Sequence, residues 1–511
     1  MATHEVTNQV PPLSGHDVAA DPALLSWVDS PELHELGRLA GSHEWQEHGR
    51  LANAHPPVLH THDRYGNRID EVEFHPAWHE LMNVAVSHGL HAYVDGEHLN
   101  RAAKFYAWSQ VEAGHGCPIS MTYAAVPALR VAPELAEIYE PLLTARNYDF
   151  GLRAPLGKQG LIAGMSMTEK QGGSDVRANT TVAKPVTDGY VLTGHKWFTS
   201  APMSDVFLTL AQAPGGLTCF LVPRVLPDGT RNRFFLQRLK DKLGNKSNAS
   251  AEIEYDEAFA HRVGDEGRGV RTIIEMVNTT RLDCVLGTAA GMRLGIRQAA
   301  HHAAHRKAFG NYLIDQPAMR NVLADLAIES EAATTTAMWL AQERPRLALA
   351  VTKYWVCKRG PVHAAEALEC LGGNGYIEDS GMPRLFRESP LMSIWEGSGN
   401  VAALDVLRAM KREPESVQEF LAAVSGVDQR VDRALNELGV ALSDVDESQA
   451  RRVVEKMALI LQGALLVKHG HPAVADAFLG SRLGGDWGVA FGTLPRSTDF
   501  ASIIDRVVPK I

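Results

Sequence analysis

The hydrophobic period of this chain changes twice, and no other feature limits its fold as much. From residue 21 to about 150, apolar side chains recur at three- and four-residue spacing, as over 90–108 and 131–143. That spacing predicts helices with one buried stripe. Between about 160 and 262, Thr, Val and aromatic residues alternate instead, with turn signals at Thr187-Asp188-Gly189, Ala213-Pro214-Gly215-Gly216 and Pro227-Asp228-Gly229. Residues 189–193, 206–210 and 219–222 read as strands. The helical period returns from Gly269 to about 330, then over 346–372 and 398–411. One interruption in the first helical part, Asp63 to Asp70 around Gly66-Asn67, reads as a short hairpin. The order predicts an α+β chain, mainly α, with a β domain between helical bundles.

The expected division is an N-terminal arm (1–20), an N-terminal helical domain (21–160), a middle β domain (161–262), a helical bundle (263–412) and a further C-terminal helical region (413–511). Lys411-Arg412-Glu413-Pro414 is the linker candidate, and the glycine-rich residues 480–495 read as a loop. A chain of 511 residues with 45% hydrophobic content can bury several cores. The net charge of −10 opposes whole-molecule attraction to nucleic acid or an anionic membrane. Five dispersed cysteines, without a CxxC pair, predict reduced thiols in a cytoplasmic protein. The polar start and the lack of an 18-residue apolar run predict neither signal peptide nor membrane span.

Five short segments concentrate residues suited to a flat, phosphate-bearing ligand. The first, MSMTEKQGGSD (165–175), offers glycine backbone and the Thr168 and Ser174 hydroxyls as donors. The second, LTGHKWFTS (192–200), offers the Trp197 indole and then Thr199. The others are HRKAFG (305–310) with Gln316 beyond it, CLGGNGY (370–376), and SIWEGSGN (393–400). Taken singly, Trp197 also fits a core aromatic, Arg306 a solvated helix-surface charge, and Glu396 a carboxylate capping the next helix. His301 and His305 share a helix face, but no third ligand or HExxH spacing accompanies them, so a packing role is expected and no metal.

In order and spacing, these segments resemble the acyl-CoA dehydrogenase flavoproteins. MTEKQGGSDVRANTT, GHKWFTSAPMSD, LKDKLGNKSNAS, FGNYLIDQPAMRNVLADLA and SIWEGSGN resemble its AidB-like, alkylation-response branch. The resemblance covers about residues 30–410 well and the last hundred weakly. It implies FAD as cofactor, held by Met167, Thr168, Gly173, Ser174, Trp197, Phe198 and Thr199 around the flavin ring. It implies Arg306, Phe309 and Gln316 at the pyrophosphate and adenine half, contributed by a neighbouring subunit of a homotetramer built as a dimer of dimers, with Glu369, Gly372 and Gly373 as a further FAD contact. Trp395, Ser398 and Asn400 complete the cofactor set.

The implied reaction is α,β-dehydrogenation of an acyl-CoA or other acyl thioester, with flavin N5 as hydride acceptor and Glu396 as base. Ser174, Arg281 and Gly397 fall on the substrate side. A base for so weak a carbon acid needs a raised pKa, and Ile394, Trp395 and Gly397 promise an apolar setting. The resemblance leaves two acceptors for reoxidation, an electron-transfer flavoprotein or oxygen.

Two positions depart from the family pattern. Glu369 stands where Gln is common, so a carboxylate would repel phosphate. Thr280-Arg281 stands where some members carry a Glu-Arg pair, which leaves Glu396 without a rival base. The branch also implies an alternative, a DNA-binding alkylation-response flavoprotein with little or no dehydrogenase activity, and a scaffold that keeps flavin for stability is a third reading. Residues 412–511 nevertheless hold 14 acidic against 11 basic residues, and Arg451-Arg452 with Lys456 is one short basic stripe. Phosphate contact needs several clustered cations.

Overall fold

The computed structural model describes residues 3–509, which form two compact units. The first comprises Glu44–Arg101 and Glu112–Thr280. The second comprises the N-terminal residues to His43, Ala102–Val111, and the chain from Arg281 on.

In the first unit, β1 (Val58–His62) and β2 (Arg68–Glu73) form the expected hairpin. Gly66 takes φ +85, and the Asp63 carboxylate accepts from the N–H groups of Tyr65 and Asn67 at 2.8 and 2.9 Å. The main sheet contains β3 (Ala163–Ser166), β4 (Val182–Val186), β5 (Gly189–Ser200), β6 (Val206–Ala213), β7 (Gly216–Pro223), β8 (Phe234–Leu239) and β9 (Ser250–Val263). Its order is β3-β6-β4-β5-β9-β7, with β8 on β9, and a further β6–β7 pairing closes it on itself. Closure explains why β6 and β7 read as nearly continuous apolar runs, since most of their side chains are buried. Arg68 ties the hairpin to this sheet, donating to the Leu236 carbonyl at 2.8 Å.

The helices Pro76–Ser87, Gly116–Leu129 and Pro133–Leu143 complete this unit. Pro133 at the first helical position explains why the last begins there. The helix expected from residue 90 starts only at His98. Gly89 and Gly96 take φ +70 and +84, and the chain between them is irregular. Apolar spacing alone did not register these two breakers.

The second unit is helical: Pro31–Gly41, Pro317–Glu343, Arg346–Glu369, Gly399–Arg412, Pro414–Val424, Gln429–Leu442 and Ala450–His469 join the Arg281–His305 part of the long helix Gly269–His305. The period expected to run to residue 330 breaks at Arg306, where β10 (Lys307–Ala308) and β11 (Asn311–Tyr312) form a two-residue hairpin. The 411–414 segment is a tight corner, with Glu413 alone between one helix and Pro414 at the first position of the next. The Leu479–Leu483 part of the expected 480–495 loop is a π-helical turn.

Buried ion pairs bolt the last residues of the chain onto Pro317–Glu343. Arg482 donates to Asp325 at 2.5 Å and to Glu329 at 3.1 Å, and Arg506 pairs with Glu331 at 2.7 Å. Burial by itself would raise the Glu329 carboxyl, but Arg359 and then Arg482 hold it at about 2.

Candidate active site

The candidate residues fall into two groups, one in each unit. In the first unit, Glu169 organises the loop that follows β3. It is fully buried, and its carboxylate accepts from Lys196 Nζ (2.8 Å), the N–H groups of Thr180 (2.7 Å) and Thr181 (3.2 Å), and Gln171 Nε2 (2.8 Å). Burial opposes its charge, yet Lys196 and these donors hold it well below the usual carboxylate range. The loop between these anchors is thereby fixed. A Cβ at Gly173 would lie 2.4 Å from Thr168 Oγ1, so any side chain there would displace the Thr168 hydroxyl. Among the described residues, no protein group accepts from the N–H groups of Gly173 and Ser174, and both residues are exposed. Met167 and Thr168 are half-buried; their carbonyls accept from Asn179 Nδ2 at 3.0 Å and from Trp197 N at 2.8 Å.

Trp197 is half-buried beside this loop, with Lys240 Nζ 3.3 Å from its ring centroid. Glu252 holds that ammonium at 2.7 Å. Phe198 is 51% exposed. Thr199 points the other way, because the β5–β9 register shifts between Lys196 and Thr199. Its side chain is fully buried, with Oγ1 2.5 Å from Ser166 Oγ. The neighbouring half-buried hydroxyl is Ser200.

In the second unit, Glu396 is half-buried in a left-handed turn at φ +57, followed by Gly397 at φ +101. A non-glycine residue in that region is strained, and the surroundings must hold it. Arg281 Nε donates to the Glu396 carbonyl at 3.1 Å, and Lys353 Nζ donates to the Gly397 carbonyl. Arg281 is itself fixed by Asp405 at 2.8 Å, which also takes Arg346 at 3.0 Å. Burial raises the Asp405 carboxyl, but the two guanidinium groups keep it below its ordinary value. Arg281, expected on the substrate side, also holds the Glu396 turn through its carbonyl. Ile394 is 59% exposed and does not form the expected apolar wall. Thr280 returns its hydroxyl to its own helix, at 3.2 and 3.1 Å from the Met276 and Val277 carbonyls.

Arg306 leads into the β10–β11 hairpin, whose tip is Phe309 (98% exposed, φ +53) and Gly310 (φ +83). Gln316 donates to the Ala308 carbonyl at 3.3 Å. Glu369 is exposed and has no ion-pair partner among the described residues. Gly372 takes φ +60 ahead of the short helix Gly373–Tyr376. Ser398 stands at the N-cap position of the helix Gly399–Arg412 without a side-chain capping bond, and Trp395 is half-buried. Asn400 Oδ1 accepts from Arg451 Nε at 2.8 Å. His301 bonds the Pro11 carbonyl at 3.2 Å and His305 the His301 carbonyl at 2.8 Å.

Sequence reasoning missed Glu169, Lys196, Lys353 and Asp405, and it read Arg451 only as part of a basic stripe, not as the partner of Asn400. The first two lie inside quoted motifs and signal a buried pair. Lys353 and Asp405 carry no local signal.

A closed β domain and a helical bundle that carry these five segments define an acyl-CoA dehydrogenase fold. Residues 8–150 match the adaptive response protein AidB N-terminal domain, 164–258 the acyl-CoA dehydrogenase middle domain, and 267–411 the acyl-CoA dehydrogenase C-terminal domain. The AidB protein of Escherichia coli (strain K12) is 44% identical over 93% of this chain and 94% of its own length. The crystal structure of Caenorhabditis elegans ACDH-11 in complex with C11-CoA superimposes with TM-score 0.81, with 28% identity over 94% of this chain and 93% of that one. An acyl-CoA dehydrogenase from Bacillus anthracis, complexed with FAD, shares the fold at TM-score 0.67 and 17% identity, over 80% of this chain and 81% of that one. The chain belongs to the acyl-CoA dehydrogenase family, in the branch that carries the AidB N-terminal domain. No helix among the described residues is long and apolar enough to cross a membrane.

Proposed function

We propose that this chain is an FAD-dependent acyl thioester dehydrogenase with Glu396 as its base. The observation that carries this reading is the strained Glu396 turn, clamped through successive carbonyls by Arg281 and Lys353. Strain held in place by dedicated cations marks a position that must be accurate. The donor set fits the cofactor. Exposed N–H groups at Gly173 and Ser174 and the Thr168 hydroxyl suit the pyrimidine edge of a flavin, and Trp197 suits its ring face. Arg306, Gln316 and the Gly372-Gly373 turn suit a pyrophosphate. When bound, FAD supplies the two-electron acceptor for hydride from the β-carbon, while the α-proton goes to Glu396 and a 2-enoyl thioester remains.

This chain's own contribution is to hold the Glu396 backbone rigid and the Thr168–Ser174 donors preformed. The C11-CoA bound by the ACDH-11 relative supports an acyl-CoA as substrate. Homotetramer assembly, an electron-transfer flavoprotein partner and a cytoplasmic site belong to the same reading. The basic stripe that would carry DNA binding is partly engaged elsewhere: Arg451 bonds Asn400 and Lys456 pairs with Glu437 at 3.4 Å.

Anaerobic titration with short, branched and long acyl-CoAs tests the proposal. Bleaching of the long-wavelength flavin band supports it, and an unchanged band across the panel counts against it.

A further inference from the structure

From Arg293 onward, the helix Gly269–His305 gives a side chain at nearly every turn to one irregular segment, residues 8–21. Arg293 pairs with Asp21, both fully buried, with Nε 2.7 Å from Oδ2. Arg297 donates to the carbonyls of Val18 (3.1 Å) and Ala20 (2.6 Å). Gln298 closes two bonds with the backbone of buried Leu13, at 2.9 and 3.3 Å, and His301 meets the Pro11 carbonyl. The segment thus runs alongside the helix toward the Arg306 hairpin.

At the hairpin, the contact changes character. β10 has two edges. On the β11 side, Leu313 N donates to the Arg306 carbonyl at 2.9 Å. On the other side, Asn8 takes both backbone groups of Lys307: Oδ1 accepts from its N–H at 2.8 Å and Nδ2 donates to its carbonyl at 2.9 Å. The primary amide does the work of a third strand. The Asn8 carbonyl also accepts from the Arg306 guanidinium. The next residue, Gln9, accepts from Asn374 Nδ2 at 3.1 Å, inside the second glycine-rich motif. Asn8 sits at φ +59, where asparagine is among the few side chains tolerated. A hairpin with two residues per strand is marginal alone and needs such outside bonds.

We propose that residues 8–21 are a positioning strap for the pyrophosphate and adenine half of the cofactor site. The strap holds the Arg306 hairpin and the Gly372–Tyr376 turn in fixed geometry, so that the cofactor meets a preformed surface. Asn8 and Gln9 act through Arg306, Lys307 and Asn374. The proposal rests on the assignment of those two motifs to FAD.

The test is the double variant Asn8→Gly, Gln9→Ala in the full chain. Glycine keeps the positive φ and removes only the amide. Hydrogen exchange of the cofactor-free protein reads the loops, and FAD titration by flavin fluorescence reads the consequence. The expected result is faster exchange at Lys307 and in the Gly372–Tyr376 turn, with FAD binding weakened about tenfold, the scale of one or two lost bonds. The thermal midpoint of the cofactor-free protein should hardly move. Asn8→Asp keeps the acceptor and loses the donor, so it should fall between. Unchanged exchange overturns the strap, and so does faster exchange with FAD affinity within twofold of the unaltered chain. Failure of the unaltered chain to bind FAD counts against the dehydrogenase reading, and the exchange result still decides whether the arm holds the loops.

Discussion

Arg281 donates from Nε to the Glu396 carbonyl at 3.1 Å while its Nη1 bonds Asp405 at 2.8 Å. One guanidinium thus joins the strained turn to a half-buried carboxylate on the following helix. Lysine cannot reproduce that fork. Arg281→Lys should lower kcat about 100-fold, the usual cost of misplacing a catalytic group by an ångström. FAD content should stay near normal, and KM should change less than kcat. Steady-state kinetics on the FAD-replete variant check this; equal losses of FAD and activity would contradict it.

Glu369 is the position where the chain departs from the family's glutamine, and no cation neutralises it among the described residues. In the proposed cofactor site this exposed carboxylate faces a pyrophosphate, at a cost of roughly 1 kcal/mol. Glu369→Gln should therefore tighten FAD binding by about two- to tenfold. The gain should shrink at high ionic strength. Equilibrium dialysis at low and high salt measures both.

His91 and His363 are buried, one in each unit, and burial lowers each pKa from 6.5 to about 4. Each bonds a carbonyl, Ala145 at 3.0 Å and Leu326 at 3.1 Å. The sign follows from linkage. Below pH 6.5 the unfolded chain takes up protons that the folded chain refuses, so stability is full above 6.5 and falls as pH drops toward 4. Each histidine contributes about a tenfold change in the folding equilibrium per pH unit in that window. Denaturation midpoints from pH 7 to 4.5 should slope accordingly, and His363→Gln should flatten the slope by about one proton.

Arg482 is buried between Asp325 and Glu329, with side-chain exposures of 1%, 1% and 7%. Removing Arg482 leaves buried Asp325 without an ion-pair partner among the described residues and Glu329 with Arg359 alone. Arg482→Ala should cost about 3–5 kcal/mol. Calorimetry and limited proteolysis after residue 470 test this, since the last residues should become cleavable. A thermal midpoint within a degree of the original would contradict it.

Much of the fold was legible because periodicity reports burial directly. The switch from 3.6 to 2 and back marked the β domain, and Gly66-Asn67 marked the hairpin. The break at 88–97 was missed because Gly89 and Gly96 interrupt a segment whose apolar spacing still fits a helix. The Arg306 hairpin was missed for a similar reason, since helical spacing resumes at Pro317. Motif residues were legible as a set, but their directions were not. A register shift in β5 turns Thr199 inward, and no local pattern announces that shift. Partners distant in sequence were invisible: Lys307 is 299 residues from Asn8, and Asp405 is 124 from Arg281.

The most direct test compares the unaltered protein with Glu396→Gln, both loaded with FAD, under anaerobic titration with the acyl-CoA that bleaches the unaltered protein best. The predicted result is rapid bleaching in the first and none on the same timescale in the second, with FAD binding equal in the two. Equal bleaching in Glu396→Gln would contradict the assignment of the base.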